Sequence, residues 1–258
     1  MYEFITTQQQ DRILYITLNR PEKRNALSGQ LVFELKDALL CAEADIHTKV
    51  IVLNAQGTVF SAGADLDYLQ QLQHNTFEEN LADSSSLAEL FNIIYKNKKV
   101  IIAQVEGHAI AGGCGLATVC DFTFAVPDAS FGYTEVKIGF IPAIVSIFLM
   151  RKLGEVKAKE LLLTGKLISA TEAEKIGLIN EVVLADQIAD KVFNLATQLC
   201  EQTSAQSLDM TKQLINTVQE MSIEEALRYT AEMNAKARAS DDCKKGIASF
   251  LSKEKIKW

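Results

Sequence analysis

Three short segments carry residue types that could do chemistry. The first is FSAGADL, residues 60–66. Ala62, Gly63 and Ala64 leave the main chain bare there, so a ligand atom could reach the N–H of Ala64. A strand-to-helix turn with Gly63 at a positive φ accounts for the same residues. The second is AIAGGCGL, residues 109–116. Adjacent glycines at a helix start expose N–H donors, and the helix dipole adds positive potential. A negative oxygen could sit on the N–H of Gly112; close helix–strand packing is the alternative. Taken together, two bare donors aimed at one point form an oxyanion hole, with each donor worth about 3 kcal/mol in a transition state. The third segment is FGYTEVKIGFIP, residues 131–142. Its Glu135 sits among apolar and aromatic residues, where desolvation raises a carboxyl pKa toward the range useful for proton transfer. A surface or ion-paired glutamate is the commoner fate of that residue type.

Other chemistries lack their residues. No GxSxG elbow surrounds Ser61, which argues against a hydrolase nucleophile. His47, His74 and His108 lack metal-ligand spacing, so no metal is expected. A dinucleotide fingerprint would need glycine where Thr118 stands, and TGK at 164–166 lacks the rest of a P-loop. Cys114 and Cys120 read as small core residues.

The elements around these segments alternate. Tyr2 to Thr7 and Ile13 to Leu18 read as a hairpin turning at Gln8 to Arg12. Ser28 can cap a helix with Leu31, Leu35, Ala38, Leu39 and Ala42 on one face. Val50 to Leu53, Val100 to Val105 and Phe122 to Ala125 read as strands, and Leu87, Leu90, Phe91 and Ile94 as a helical stripe. Strand–helix alternation argues for an α/β core with parallel pairing. Beyond about Ile144 the pattern is helical. Ser169 with Glu172 and Ser222 with Glu225 fit capping boxes.

The chain has 258 residues, 48% of them hydrophobic, enough for a large core. Its formal net charge of -7 gives no support to nucleic acid or anionic membrane as a partner. Met1 to Gln10 lacks a targeting pattern, and no window suits a membrane helix. Five dispersed cysteines without a CxxC pair suit a reducing compartment, so a cytoplasmic location is expected.

These motifs, with NRPEKRNAL (19–27), EGHAIAGGCGLATVCDFTFA (106–125) and LLLTGKLISATEAEKIGLINEVV (161–183), resemble the enoyl-CoA hydratase/isomerase (crotonase) family in order and spacing. The resemblance runs from about Tyr2 to Trp258. It implies the crotonase (ClpP-like) fold: an α/β spiral core of repeated ββα units over 1–195, carrying the coenzyme A and acyl site, and a C-terminal helical trimerisation part over 196–258. It implies an acyl-CoA substrate, no separate cofactor, and a trimer or dimer of trimers, with a place in fatty acid or branched-chain amino acid catabolism. By motif position, Ala64 and Gly112 supply the oxyanion-hole N–H groups and Glu135 is the acid–base residue. Arg24 stands where a basic residue meets the CoA phosphates. Ala62, Asp65 and Leu66 lie where the adenine pocket passes, and Gly113 is a further substrate- or CoA-binding position. Phe250 and Lys253 match a C-terminal pair that reaches CoA, in some members from a neighbouring subunit. One departure stands out. Gly115 occupies the place of the second glutamate of two-glutamate hydratases. With TEVKIGFIPAIVS, this looks like bacterial methylglutaconyl-CoA hydratases, and also like isomerases and decarboxylases of the same fold. A catalytically silent CoA-binding protein and a peptidase using Ser61 are the remaining alternatives.

Overall fold

The computed structural model describes residues 2–258, apart from the side chains of Leu66, Asp67 and Leu72. Strands β1 (Ile5–Gln10) and β2 (Ile13–Leu18) form an antiparallel hairpin. Its turn is only Asp11 and Arg12, with Asp11 at φ 51°. The expected first strand, Tyr2 to Thr7, is therefore displaced toward the turn. Gln8, Gln9 and Gln10 pair with Tyr15, Leu14 and Ile13 because β1 is an edge strand with its polar residues in solvent. Helix α1 (Gly29–Ala44) starts where the sequence places it. The Ser28 hydroxyl accepts from the Leu31 N–H, and Leu31, Leu35, Ala38, Leu39 and Ala42 are buried.

Three strand pairs follow: β3 (Val50–Ala55) with β4 (Val59–Ser61), then helices α2 (Leu66–Leu72) and α3 (Phe77–Lys96); β5 (Val100–Val105) with β6 (His108–Ile110), then α4 (Gly112–Thr118); and β7 (Phe122–Ala125) with β8 (Ser130–Gly132), leading to α5 (Ala143–Thr164). In each pair the first strand joins a large sheet and the second a small one. After β9 (Ile168–Ser169), α6 (Ala170–Lys175) and β10 (Glu181–Val182), the chain is helical: α7 (Ile188–Gln202), α8 (Ala205–Val218), α9 (Ile223–Ala239) and α10 (Asp241–Ser252). The large sheet runs β1-β2-β3-β5-β7-β10, all parallel beyond the first hairpin. The small sheet runs β4-β6-β8-β9. Every residue of β5 is buried, as expected for a central parallel strand covered on both faces. The fold is α/β, of repeated ββα units with a C-terminal helical part.

Helix α7 belongs to the core. Its Ile188, Val192, Ala196 and Cys200 are buried, and Lys49, at the head of β3, donates to the carbonyls of Cys200 and Thr203. The expected division after residue 195 thus cuts a helix whose buried stripe continues past it. By contrast α8 and α10 bury no residue and α9 buries only Met233. Ser222 and Glu225 form the expected capping box. The Ser169 hydroxyl accepts from the Glu172 N–H, but the Glu172 carboxylate turns to Lys166 at 3.3 Å instead of closing the box. Among the described residues no helix is long and apolar enough to cross a membrane, and the five cysteines are free thiols.

The connection from β2 to α1 is fastened by Asn25, buried and at φ 50°. Its Oδ1 accepts from the Arg20 N–H at 2.9 Å, and its Nδ2 donates to the carbonyls of Gln56 and Val59, both at 2.8 Å. One side chain therefore ties the loop to both ends of the β3–β4 corner. Asn25→Ala removes three side-chain hydrogen bonds to partly buried backbone groups, a loss of roughly 3 kcal/mol. Urea unfolding should show that loss as a lower midpoint with an unchanged slope.

Candidate active site

Strand β4 delivers the chain to Gly63, which has φ +87°. A methyl group there would stand 2.8 Å from Ala111 Cβ, 3.0 Å from the Ile110 carbonyl oxygen and 3.5 Å from the Gly112 nitrogen. Only glycine lets the two turns meet this closely. On its other side the segment is laddered to residues 24–27. Leu27 N–H donates to the Gly63 carbonyl at 2.6 Å, Asp65 N–H to the Leu27 carbonyl at 3.2 Å, and Ala62 N–H to the Arg24 carbonyl at 3.0 Å. Because Gly63 C=O and Asp65 N–H both face Leu27, the Ala64 N–H between them points the other way. Ala64 is exposed, and its N–H has no partner among the described residues.

The second turn joins β6 to α4. Ala111 has φ 51° and ψ -127°, a conformation that costs an L-residue roughly 1–3 kcal/mol. It is held by its N–H, which donates to the Gly132 carbonyl at 2.7 Å. Gly112 opens α4, so its N–H has no acceptor within the helix. Gly113 is buried against Ser61: a side chain there would run into Ser61 Oγ at 2.6 Å and Cβ at 2.7 Å. Ser61, weighed above as a nucleophile, is fully buried, and its Oγ accepts from the Gly63 N–H at 3.4 Å.

Glu135 follows three residues after Gly132, at the first position of a short 3-10 turn, 135–138. It is 9% exposed, and its Oε2 is sealed from solvent without a hydrogen-bond partner. Burial pushes its pKa above the ordinary carboxylate value, opposed in part by its own backbone N–H. The preceding Tyr133 is fully buried, its hydroxyl 3.0 Å from Thr118 Oγ1, which donates to the Cys114 carbonyl at 2.8 Å. The carboxylate and the glycine turn are thereby fixed to each other. Sequence reasoning missed the Tyr133–Thr118 link, although a tyrosine inside an apolar run announces a buried hydroxyl that needs a partner.

The residues named from sequence divide by position. Ala62, Ala64, Asp65, Arg24, Gly112, Gly113 and Glu135 share one neighbourhood. Arg24 is exposed at φ 52°, and its guanidinium has no partner among the described residues. Asp65 is 3% exposed, and its carboxylate is ion-paired with Arg20, so its side chain holds the loop in place. The side chain of Leu66 lies outside the described residues. Phe250 and Lys253 are not brought to this neighbourhood within the chain. Trp258, just beyond them, donates to the Glu201 carbonyl at 3.2 Å and accepts from Arg12 Nη1 at 2.9 Å. Arg12 precedes β2, whereas Arg20 and Asp65 lie past its end, roughly 17 Å away along six residues.

The sequence pattern of the enoyl-CoA hydratase/isomerase family matches residues 8–258. The chain belongs to the enoyl-CoA hydratase/isomerase family. It is 40% identical to a Thermus thermophilus protein named as a candidate enoyl-CoA hydratase, over 95% of this chain and 96% of that one. It is 32% identical to the 2,3-dehydroadipyl-CoA hydratase of Escherichia coli, over 98% and 97%. A crystal structure of a candidate enoyl-CoA hydratase/isomerase (crotonase) from Legionella pneumophila superposes with a TM-score of 0.90 at 38% identity, covering 98% of each chain. The fold is thus the crotonase fold, and the protein is an enzyme of the hydratase/isomerase family.

A crotonase-fold enzyme with a buried acid should show it in its stability. Glu135 keeps its proton to higher pH when folded than when unfolded, so stability falls as pH rises from the ordinary glutamate value through the raised one. Glu135→Gln removes that penalty. Thermal melts should show the variant more stable than the parent at pH 7 and equal to it near pH 4. An equal gain at both pH values would mean that charge burial is not the cause.

Proposed function

We propose that this protein is an enoyl-CoA hydratase whose thioester carbonyl oxygen lies between the N–H groups of Ala64 and Gly112, with Glu135 moving the α-proton. The observation that carries this reading is the Glu135 carboxylate, buried, with Oε2 unpartnered and its own segment bonded to the glycine turn. As water adds at the β-carbon, charge develops on the thioester oxygen, and two fixed N–H donors stabilise the enolate without reorganising. The hydratase names of the relatives support the reaction type. The motif TEVKIGFIPAIVS with Gly115 supports methylglutaconyl-CoA as substrate. Gly115 also favours a second reading, a double-bond isomerase or decarboxylase working with one carboxylate. The mass of the product separates them: hydration adds one water, isomerisation adds nothing, and decarboxylation releases carbon dioxide.

Coenzyme A would pass Ala62, Asp65 and Leu66, with its phosphates on Arg24. Phe250, 83% exposed, and Lys253 would reach it from a neighbouring subunit, since their own site lies at the far end of β2. Exposed Ile223, Leu227, Phe250 and Leu251 on α9 and α10 support self-association through the C-terminal helices, as a trimer or a dimer of trimers. Five free thiols support a cytoplasmic setting.

Glu135→Gln should lower turnover by about 10²–10⁴-fold while leaving CoA affinity, measured by calorimetry, nearly unchanged. Unchanged turnover would remove Glu135 from the mechanism. Arg24→Ala should raise KM for a CoA thioester by about tenfold, the worth of one charge-assisted contact. The matching pantetheine thioester, which lacks the nucleotide phosphates, should be used equally well by both proteins. A similar KM rise on both substrates would remove Arg24 from the phosphate site.

A further inference from the structure

Gly115 lies on the side of α4 that faces α3 and α5, and no side chain fits there. A Cβ at this position would stand 2.9 and 3.1 Å from two ring carbons of Phe91, and closer still to Val145 Cγ1. Both neighbours are interior: Phe91 is fully buried and Val145 is 5% exposed. The Phe91 ring is backed by Phe148, with centroids 5.8 Å apart, and Phe148 by Tyr95 at 5.2 Å. Val145 sits in the first turn of α5, on the segment that Glu135 begins, and the Glu135 carbonyl accepts from the Phe140 N–H at 3.1 Å between them.

We propose that Val145, backed by Phe91, is the positioning residue that limits this site to a single carboxylate. It fills the space that a side chain at 115 would need and keeps that face dry, so Glu135 performs every proton transfer. The inference rests on the hydratase/isomerase reading above. The protons balance with one acid. Glu135 takes a proton from water as the hydroxyl oxygen bonds to the β-carbon, and returns that proton to the α-carbon as the enolate collapses. The carboxylate ends as it began. The residue pair also explains why a glycine stands at 115: the volume is already occupied from α5.

A melting cycle and a pH profile test this. Gly115→Ala alone should lower Tm by roughly 5 °C through overpacking. In the Val145→Gly background the same change should cost much less. Drops that simply add would overturn the packing claim. Gly115→Glu with Val145→Gly should then give kcat/KM for crotonyl-CoA hydration a second ionisation and a rise of about 10²-fold over Val145→Gly alone, the low end of what a placed acid gives. The unaltered enzyme should show one ionisation. A folded double variant that keeps a single ionisation overturns the proposal. If the unaltered enzyme neither hydrates acyl-CoA nor exchanges its α-hydrogen with deuterated solvent, the reaction reading itself fails. The melting cycle distinguishes that failure from a misplaced Val145.

Discussion

Two main-chain amides from separate turns can converge on one proposed carbonyl oxygen only where the turns touch backbone to backbone, with no side chain between them. Here that contact passes through Gly63. Its φ of +87° and the 2.8 Å that would separate a methyl there from Ala111 Cβ leave room for no other residue. The neighbouring features serve the same contact. The ladder to Leu27 turns the Ala64 N–H outward, Gly113 lets α4 close on Ser61, and Ala111 is held at a positive φ by the Gly132 carbonyl. The strain at Ala111 persists because strands on both sides over-determine it. The small sheet β4-β6-β8 exists, in this sense, to bring three turns into register.

The carboxylate is held by the same frame. Gly132 ends β8, bonds the glycine turn, and begins the segment that carries Glu135. Tyr133 repeats the tie from its side chain, through Thr118 to the Cys114 carbonyl. The glycine turn and the Glu135 segment are therefore tied to one frame. The cost is a buried carboxyl oxygen with no partner, which is tolerable when the group can take up a proton. A surface glutamate would be cheaper for stability but would lack the raised pKa that the proposed proton transfer uses.

Much of this was legible in the sequence, for physical reasons. The runs 13–18, 100–105 and 122–125 are apolar and β-branched or aromatic because parallel strands are covered on both faces, and the structure has strands there. Bare glycine turns and a glutamate in an apolar setting announce themselves by type. The edge strand did not, because Gln8 to Gln10 pair through their backbone and leave no pattern. Nor did Asn25, whose three hydrogen bonds join positions up to 34 residues away. The filling of Gly115 was invisible as well. Its partners Phe91 and Val145 lie on two other helices, and nothing in local spacing joins them. Phe250 and Lys253 were singled out by motif alone, and it takes the anchoring of Trp258 beside Arg12 to show that the C-terminus lies at the far end of the sheet.

The magnitudes explain why a site of this kind could lose an acid and keep its frame. In the proposed reaction each fixed N–H donor is worth about 3 kcal/mol, so the pair supplies about 6 kcal/mol. A single general acid gives about 10²–10⁴-fold, or roughly 3–5 kcal/mol. Removing either turn would lose its donor, and removing the glycine turn would also break the Ala111–Gly132 bond next to the Glu135 segment. Replacing one carboxylate by packed Val145 and Phe91 forfeits only that acid's share and gains buried apolar surface in return. The backbone is thus the expensive component and the second side chain the expendable one. Differences in reaction between chains of this fold should arise at positions such as 115 and 145 before they arise at Gly63 or Gly112.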